Sequence, residues 1–325
     1  MVWSRRHIMG AGLAALAGAI MTKPALAAAP LMIPEGGGPL PAPWLQAERV
    51  PLWPMSVSGA GFTPRPRRPD WPQTFLSNIA EPELRLFRPA RPLGKALLVI
   101  PGGAYNFVSI RNEGVDVARV FNAAGYHVYV LAYRLPGEGW ADRADVPLRD
   151  AQRAMRVIRS RAAQDRVSDQ DIAVIGFSAG GHLAASLLTG FDERIGAPVD
   201  GVDRIDARPQ AGILVYPVIS MAAPFTHAWS AQTLLGNAPE PALIERRSPA
   251  AHVTGRTPPV FLVHALDDDA VPYQNSMIMA DALAKAGSPP EMHLFAEGRH
   301  GFGIGPSNGP AGEWPVLAQK WLLRL

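Results

Sequence analysis

Cysteine is absent from the 325 residues, which excludes disulfides, Cys-ligated zinc, a thiol nucleophile and a lipid anchor on cysteine. Net charge is missing too once the first 27 residues are set aside. That stretch holds Arg5, Arg6 and Lys23 and no acid, so the formal +3 resides there and basic and acidic residues balance in the rest. The balance argues against a nucleic-acid binder, although Arg65, Arg67 and Arg68 form a local basic cluster. No stretch approaches about 18 consecutive apolar residues, as a membrane span requires. There is no internal repeat, no Walker pattern and no G-x-G-x-x-G after a strand, so nucleotide binding is not expected.

The N-terminus supplies the compartment. Ser4-Arg5-Arg6-His7-Ile8-Met9 precedes an uncharged run to Met21 and a small-residue site at Ala25-Leu26-Ala27, the order of a secretory signal. Paired arginines ahead of a Gly- and Ala-rich, mildly apolar run resemble a twin-arginine export signal. Residues 1–27 are therefore expected to be removed, leaving a periplasmic or secreted chain without stable membrane association.

Glycine and proline, 31 and 33 residues, are abundant and concentrated early. Residues 28–82 carry Trp44, Trp53 and Trp71 among prolines, a composition that forbids long helices and central strands. Free linkers are poor in aromatics, so this arm is expected to pack onto a catalytic domain spanning 83–325. There, short apolar runs alternate with amphipathic stretches. Strands are predicted near 83–88, 96–100, 128–132, 172–176, 211–216, 260–264 and 291–295. Helices are predicted near 113–124, 147–163, 179–189, 273–286 and 315–323. Such alternation means a mostly parallel, doubly wound α/β sheet with helices on both faces. Residues 217–257 interrupt it and read as a lid.

The chemistry concentrates at Gly176-Phe177-Ser178-Ala179-Gly180, between a predicted strand and a predicted helix, the context a nucleophile elbow requires. A serine hydroxyl needs a base, and the base an orienting acid. In this fold the base comes last in the chain. Of the eight histidines, His7 falls in the leader and His127 precedes Ser178. His182 lies a turn along the following helix, and His227 and His252 fall in the lid. His264 and His293 belong to strands. His300, in the loop Glu297-Gly298-Arg299-His300-Gly301-Phe302-Gly303, remains as the base. The acid is expected within Asp267-Asp268-Asp269, and spacing alone does not choose among the three. Ala179 and the Gly103 and Ala104 amides of Pro101-Gly102-Gly103-Ala104-Tyr105 are the candidate oxyanion donors. No calcium-loop spacing surrounds the aspartates, and no metal or organic cofactor is called for.

The elbow with Gly181 and His182, the Pro101–Tyr105 loop, Tyr133-Arg134-Leu135-Pro136, the aspartates before Val271-Pro272, and His300-Gly301-Phe302 together resemble the α/β-hydrolase esterases of the acetylxylan and feruloyl esterase group (BD-FAE-like). The likeness spans roughly residues 75–325. It implies an α/β-hydrolase fold, Ser178, Asp268 and His300 as the triad, and an acetylated carbohydrate as substrate. It also marks two departures. Ala104 stands where a third Gly is usual, and Arg299 where many members carry Gly. Tyr105 and Arg299 are taken as substrate-binding residues on this basis. A serine peptidase of the oligopeptidase type, or a non-catalytic binding protein on the same fold, are the alternative readings.

Replacing Arg5 and Arg6 together by Lys is expected to leave unprocessed precursor in the cytoplasm. Fractionation with N-terminal sequencing checks this, and normal export of the double variant would count against twin-arginine targeting.

Overall fold

The computed structural model of the chain describes residues 39–54, 61–304 and 306–325. The expected leader lies outside them. Among the described residues, the first regular structure lies inside the Pro-rich arm. A short helix, α1 (Ala42–Gln46), leads into β1 (Glu48–Pro51), and β2 (Phe75–Leu76) follows before β3 (Glu83–Phe87). β1 pairs antiparallel with β3, with Pro51 opposite Glu83. The arm thus supplies the outermost strand of the sheet that the alternation reading started at residue 83. Proline is tolerated there because an edge strand has N–H groups that need no partner.

The sheet continues with β4 (Ala96–Ile100), while β5 (Val108–Ser109) turns aside to pair with β2. Then come α2 (Asp116–Ala123), β6 (His127–Ala132), α3 (Val146–Asp165), β7 (Ile172–Phe177), α4 (Ser178–Thr189) and β8 (Gly212–Val215). The stretch read as a lid carries α5 (Ala228–Leu235) and α6 (Pro241–Arg246). The chain closes with β9 (Val260–Ala265), α7 (Gln274–Lys285), β10 (Glu291–Phe295) and α8 (Trp314–Leu322). The strand order is β1-β3-β6-β4-β7-β8-β9-β10, and every pair from β6 to β10 is parallel. β4, β6, β7, β8 and β9 are buried along their whole length, as continuous apolar runs require when both faces are covered.

Two neighbouring residues of β7 show that covering. Successive strand residues point to opposite faces. A Cβ on Gly176 would lie 2.5 Å from the Ala184 Cβ of α4, whereas the Phe177 ring sits 5.9 Å from that of Trp314 in α8. α4 and α8 therefore lie on opposite faces. This is the α/β-hydrolase fold. Among the described residues no helix is long and apolar enough to cross a membrane.

The arm is held by its tryptophans. Trp53 Nε1 donates to Asp150 Oδ1 at 2.8 Å, and the Arg149 and Arg153 guanidiniums each lie 4.9 Å from its ring. Asp150 in turn takes the Arg134 guanidinium, with Nη2 at 2.6 Å. Emptying this site removes a large buried ring and leaves a carboxylate short of a donor. Trp53→Ala should cost about 3–5 kcal/mol, read as a lower urea midpoint. Trp53→Phe should cost only about 1–2 kcal/mol for the lost hydrogen bond. An unchanged midpoint for the alanine variant would mean that the arm adds nothing to the fold.

Candidate active site

Where β7 meets α4 the backbone turns sharply enough that Ser178 has a left-handed φ of 52°, a conformation costly for any residue with a side chain. Its neighbours show why small residues surround it. A Cβ on Gly176 would fall 2.4 Å from Gly180 O, and one on Gly180 would fall 2.2 Å from Ile100 O. Both distances are impossible for real atoms. β4, β7 and α4 therefore meet backbone to backbone at the turn, and the serine is presented at the carboxyl ends of the strands.

The structure brings His300 to this serine. Its Nε2 lies 2.9 Å from Ser178 Oγ, and its Nδ1 lies 2.8 Å from Asp268 Oδ2. Of the three aspartates, only Asp268 reaches the imidazole. Its side chain is 0 % exposed and its Oδ1 accepts the Ala270 and Val271 amides at 3.0 and 2.8 Å. Burial works against the Asp268 charge, but hydrogen bonds from His264 and His300 outweigh it and hold the carboxyl far below the usual carboxylate range. Asp267 acts one step away, accepting the Arg299 amide at 2.8 Å and so bracing the loop that carries His300. Asp269 is exposed.

His264 does more than end a strand. Its Nε2 lies 3.2 Å from Asp268 Oδ2 and 3.0 Å from Val271 O, while its Nδ1 meets Ser276 Oγ at 2.8 Å. It is a second, fully buried imidazole on the same carboxylate, and strand periodicity gave no hint of it. His182 is engaged by Tyr105 and by Arg247 O, and His227 by Ser230, so neither is bonded to Ser178, and burial lowers both to about 4, which weakens them as proton acceptors.

The Pro101–Tyr105 loop lies against the elbow. A Cβ on Gly102 would approach Phe177 O to 2.7 Å, and Gly103, Ala104 and Tyr105 all have positive φ, at 129°, 52° and 61°. Three groups hold the loop in this form. Tyr133 donates to Pro101 O at 3.0 Å, Asn106 Nδ2 donates to Ala104 O at 3.0 Å, and Gly102 N donates to Glu113 Oε2 at 2.7 Å. Ala179, first after Ser178 in α4, has a helix N-terminal amide with no intrahelical acceptor. Ala179 adjoins Ser178 in the chain, and a Cβ on Gly102, just ahead of Gly103 and Ala104, would fall 2.9 Å from Ser178 Cβ.

Tyr105 needs correction as a substrate contact. It is 0 % exposed, and its hydroxyl lies 2.7 Å from His182 Nδ1, whose Nε2 reaches Arg247 O at 2.7 Å. Tyr105 therefore anchors the loop from behind. Arg299 is exposed beside His300, with φ 56°.

Glu113 was expected only as the start of a helix. It sits in a π-helical turn, Arg111–Val115, leading into α2, and is almost wholly buried. One oxygen accepts Gly102 N and the other accepts the Tyr216 hydroxyl at 2.9 Å, and that hydroxyl also accepts Gly303 N at 3.2 Å. Burial and then the charge of Glu113 push Tyr216 well above its ordinary pKa, so it remains a donor. One carboxylate therefore ties the oxyanion loop to the loop bearing His300. Among the described residues no group of three or more His, Asp or Glu is placed to hold a metal ion.

Known proteins match this chain on both sequence and structure. A family model described as BD-FAE matches residues 86–283. An acetylxylan esterase of Xylanibacter ruminicola is 32% identical over 234 residues, 71% of this chain and 45% of that protein. Endo-1,4-beta-xylanase B of Butyrivibrio fibrisolvens is 35% identical over 208 residues, 64% of this chain and 32% of its own. The chain therefore spans less than half the length of these curated relatives. The crystal structure of an acetyl ester-xyloside bifunctional hydrolase from Caldicellulosiruptor lactoaceticus superposes with a TM-score of 0.73 at 34% identity, covering 86% of this chain and 96% of that one.

Glu113→Gln places an N–H against one of the two donors that the carboxylate now accepts. The expected result is a folded protein whose kcat for an activated acetyl ester falls about 10–100-fold with KM little changed, since misplacing an oxyanion donor acts on the transition state. Unaltered kcat in a variant of normal Tm would show that the loop keeps its form without this carboxylate.

Proposed function

The chain belongs to the BD-FAE family, and from that premise we propose that it is an exported serine carboxylesterase that removes acetyl groups from carbohydrate. The observation that carries the reading is the unbroken relay from Ser178 Oγ to His300 at 2.9 Å and from His300 to Asp268 at 2.8 Å.

In acylation, Ser178 Oγ attacks the ester carbonyl carbon while His300 Nε2 takes the hydroxyl proton. The imidazolium so formed is stabilised by Asp268, which stays ionised throughout the neutral range because its pKa is held so low. The oxygen that gains negative charge lies toward the Ala179, Gly103 and Ala104 amides, whose dipoles are already in place before the charge develops. His300 returns the proton to the departing sugar hydroxyl as the tetrahedral intermediate collapses to an acyl-serine. A water then loses a proton to His300 and attacks the same carbonyl. Collapse releases acetate and restores the Ser178 hydroxyl.

Acetylated carbohydrate is supported by relatives whose names specify acetylxylan and acetyl ester-xyloside substrates. Export rests on the paired arginines and the Ala25-Leu26-Ala27 site.

Asp268→Asn should lower kcat by about 10⁴ with the fold intact, the scale of losing the orienting acid in such a triad. Asp269→Asn should stay within about twofold because its side chain is exposed, as surface changes rarely matter, and Asp267→Asn should fall between them. Across p-nitrophenyl esters, kcat/KM should be highest for acetyl and drop beyond about four carbons, although each further buried CH₂ would add about 0.8 kcal/mol in an open apolar tunnel. Acetate should also be released from acetylated xylan or a related oligosaccharide. Preference for eight-carbon or longer esters, with no acetate from any acetylated glycan, would defeat the carbohydrate assignment and leave the relay chemistry standing.

A further inference from the structure

We infer that the cleft beside the oxyanion loop, walled by Arg65, Asn106, Arg143, Trp229 and Thr233, is a subsite for a carboxylate-bearing sugar, a uronate residue neighbouring the acetylated one. The inference rests on the carbohydrate reading above and adds the charge of the substrate to it.

The cleft has a volume of about 290 Å³, and one of its walls is bonded to the Pro101–Tyr105 loop. Asn106 follows Tyr105 directly, and its Nδ2 donates to Ala104 O at 3.0 Å and to Thr233 Oγ1 at 2.7 Å. Thr233 belongs to α5, where its hydroxyl also donates to Trp229 O at 2.8 Å. Trp229, Gln232 and Thr233 fall on one face of α5 at three- and four-residue spacing, and all three line the cleft. A saccharide with its ester carbonyl at Ser178 would extend along that face.

The electrostatics select the occupant. Arg65 and Arg143 are the charged residues of the lining, and no carboxylate is among them. Arg65 pairs with the buried Glu138 at 3.6 Å and donates to Asn106 Oδ1 and O at 3.3 and 3.2 Å, which leaves Arg143 as the cation of the cleft without a carboxylate among the described residues. Arg143 donates from Nη2 to Thr233 O at 2.5 Å and forms no ion pair among the described residues. The Nε of each guanidinium is buried without an acceptor. The head of Arg65 is given room by Gly137, where a Cβ would fall 2.7 Å from Nη1.

Two cations sharing one polar cleft repel each other, and a saccharide entering it strips them of water. Neutral hydroxyls return part of the lost hydrogen bonding and none of the charge. A carboxylate returns both, because its two coplanar oxygens match the guanidinium fork. Gln232 has an amide that suits the remaining hydroxyls, and Trp229 has an aromatic ring that suits the apolar face of a pyranose.

The test compares kcat/KM for acetate release from three acetylated xylo-oligosaccharides of equal length, with p-nitrophenyl acetate as a check on catalytic competence. One carries a glucuronate branch, one carries the same branch as its carboxamide, and one is unbranched. The unmodified enzyme should favour the glucuronate form over the carboxamide by about tenfold at low salt, the scale of one charge-assisted pair. The preference should shrink in about 0.5 M NaCl as the charges are screened. Arg143→Gln should bring the glucuronate-to-carboxamide ratio toward one, and Arg143→Lys should keep part of it. Equal turnover of the glucuronate and carboxamide forms by the unmodified enzyme would overturn the inference without reference to any variant, leaving the esterase assignment intact. Hydrolysis of p-nitrophenyl acetate with no acetate from any of the three would overturn the carbohydrate reading and this inference together.

Discussion

Ser178 keeps a left-handed backbone only because three segments meet there with no side chain between them. Gly176 and Gly180 let β7, α4 and the end of β4 close to a separation that a single methyl group would prevent. The conformational cost of such a turn, on the order of 1–3 kcal/mol, is offset by the buried strands on either side. The other loops of the site are built around that contact. Gly102 presses the oxyanion loop onto the same turn, and Val218 N donates to Ser178 O at 3.0 Å, fixing the chain that leaves β8.

Strain is concentrated at the same end of the sheet. Ala104, Tyr105, Ser178, Tyr216 and Arg299 have positive φ although none is glycine. Each is held by a bond or a buried ring. Tyr105 is held by His182 and Tyr216 by Glu113, and the amide of Arg299 is held by Asp267. The same logic explains two carboxylates with different tasks. Asp268 contacts the His300 imidazole directly, while Glu113 holds the backbone of the Pro101–Tyr105 loop and the Tyr216 hydroxyl.

Much of the fold was legible in the chain because its signals are local. Five uninterrupted apolar runs are the mark of strands covered on both faces, and they form β4, β6, β7, β8 and β9. The edge strand β1 was not legible, since proline and charge hide its pattern and only pairing with β3 makes it a strand. Tyr105 was misread as well. The family resemblance suggested a substrate contact, but the buried ring meets His182 through its hydroxyl instead.

Sequence alone singled out Ser178 and His300 as candidate nucleophile and base, because a strand-turn-helix with small neighbours and a late glycine-rich loop are features of consecutive residues. Composition likewise settled the absence of thiol chemistry, which no folding can restore. Tertiary structure alone decided among Asp267, Asp268 and Asp269, since three adjacent carboxylates are chemically alike until the turn aims one of them at an imidazole 32 positions away. It also brought together Glu113 with Gly102 and Tyr216, and Arg65 with Arg143. Those groups stand far apart in the chain, and what they do depends on distances of a few ångströms that only the closed sheet and its loops create.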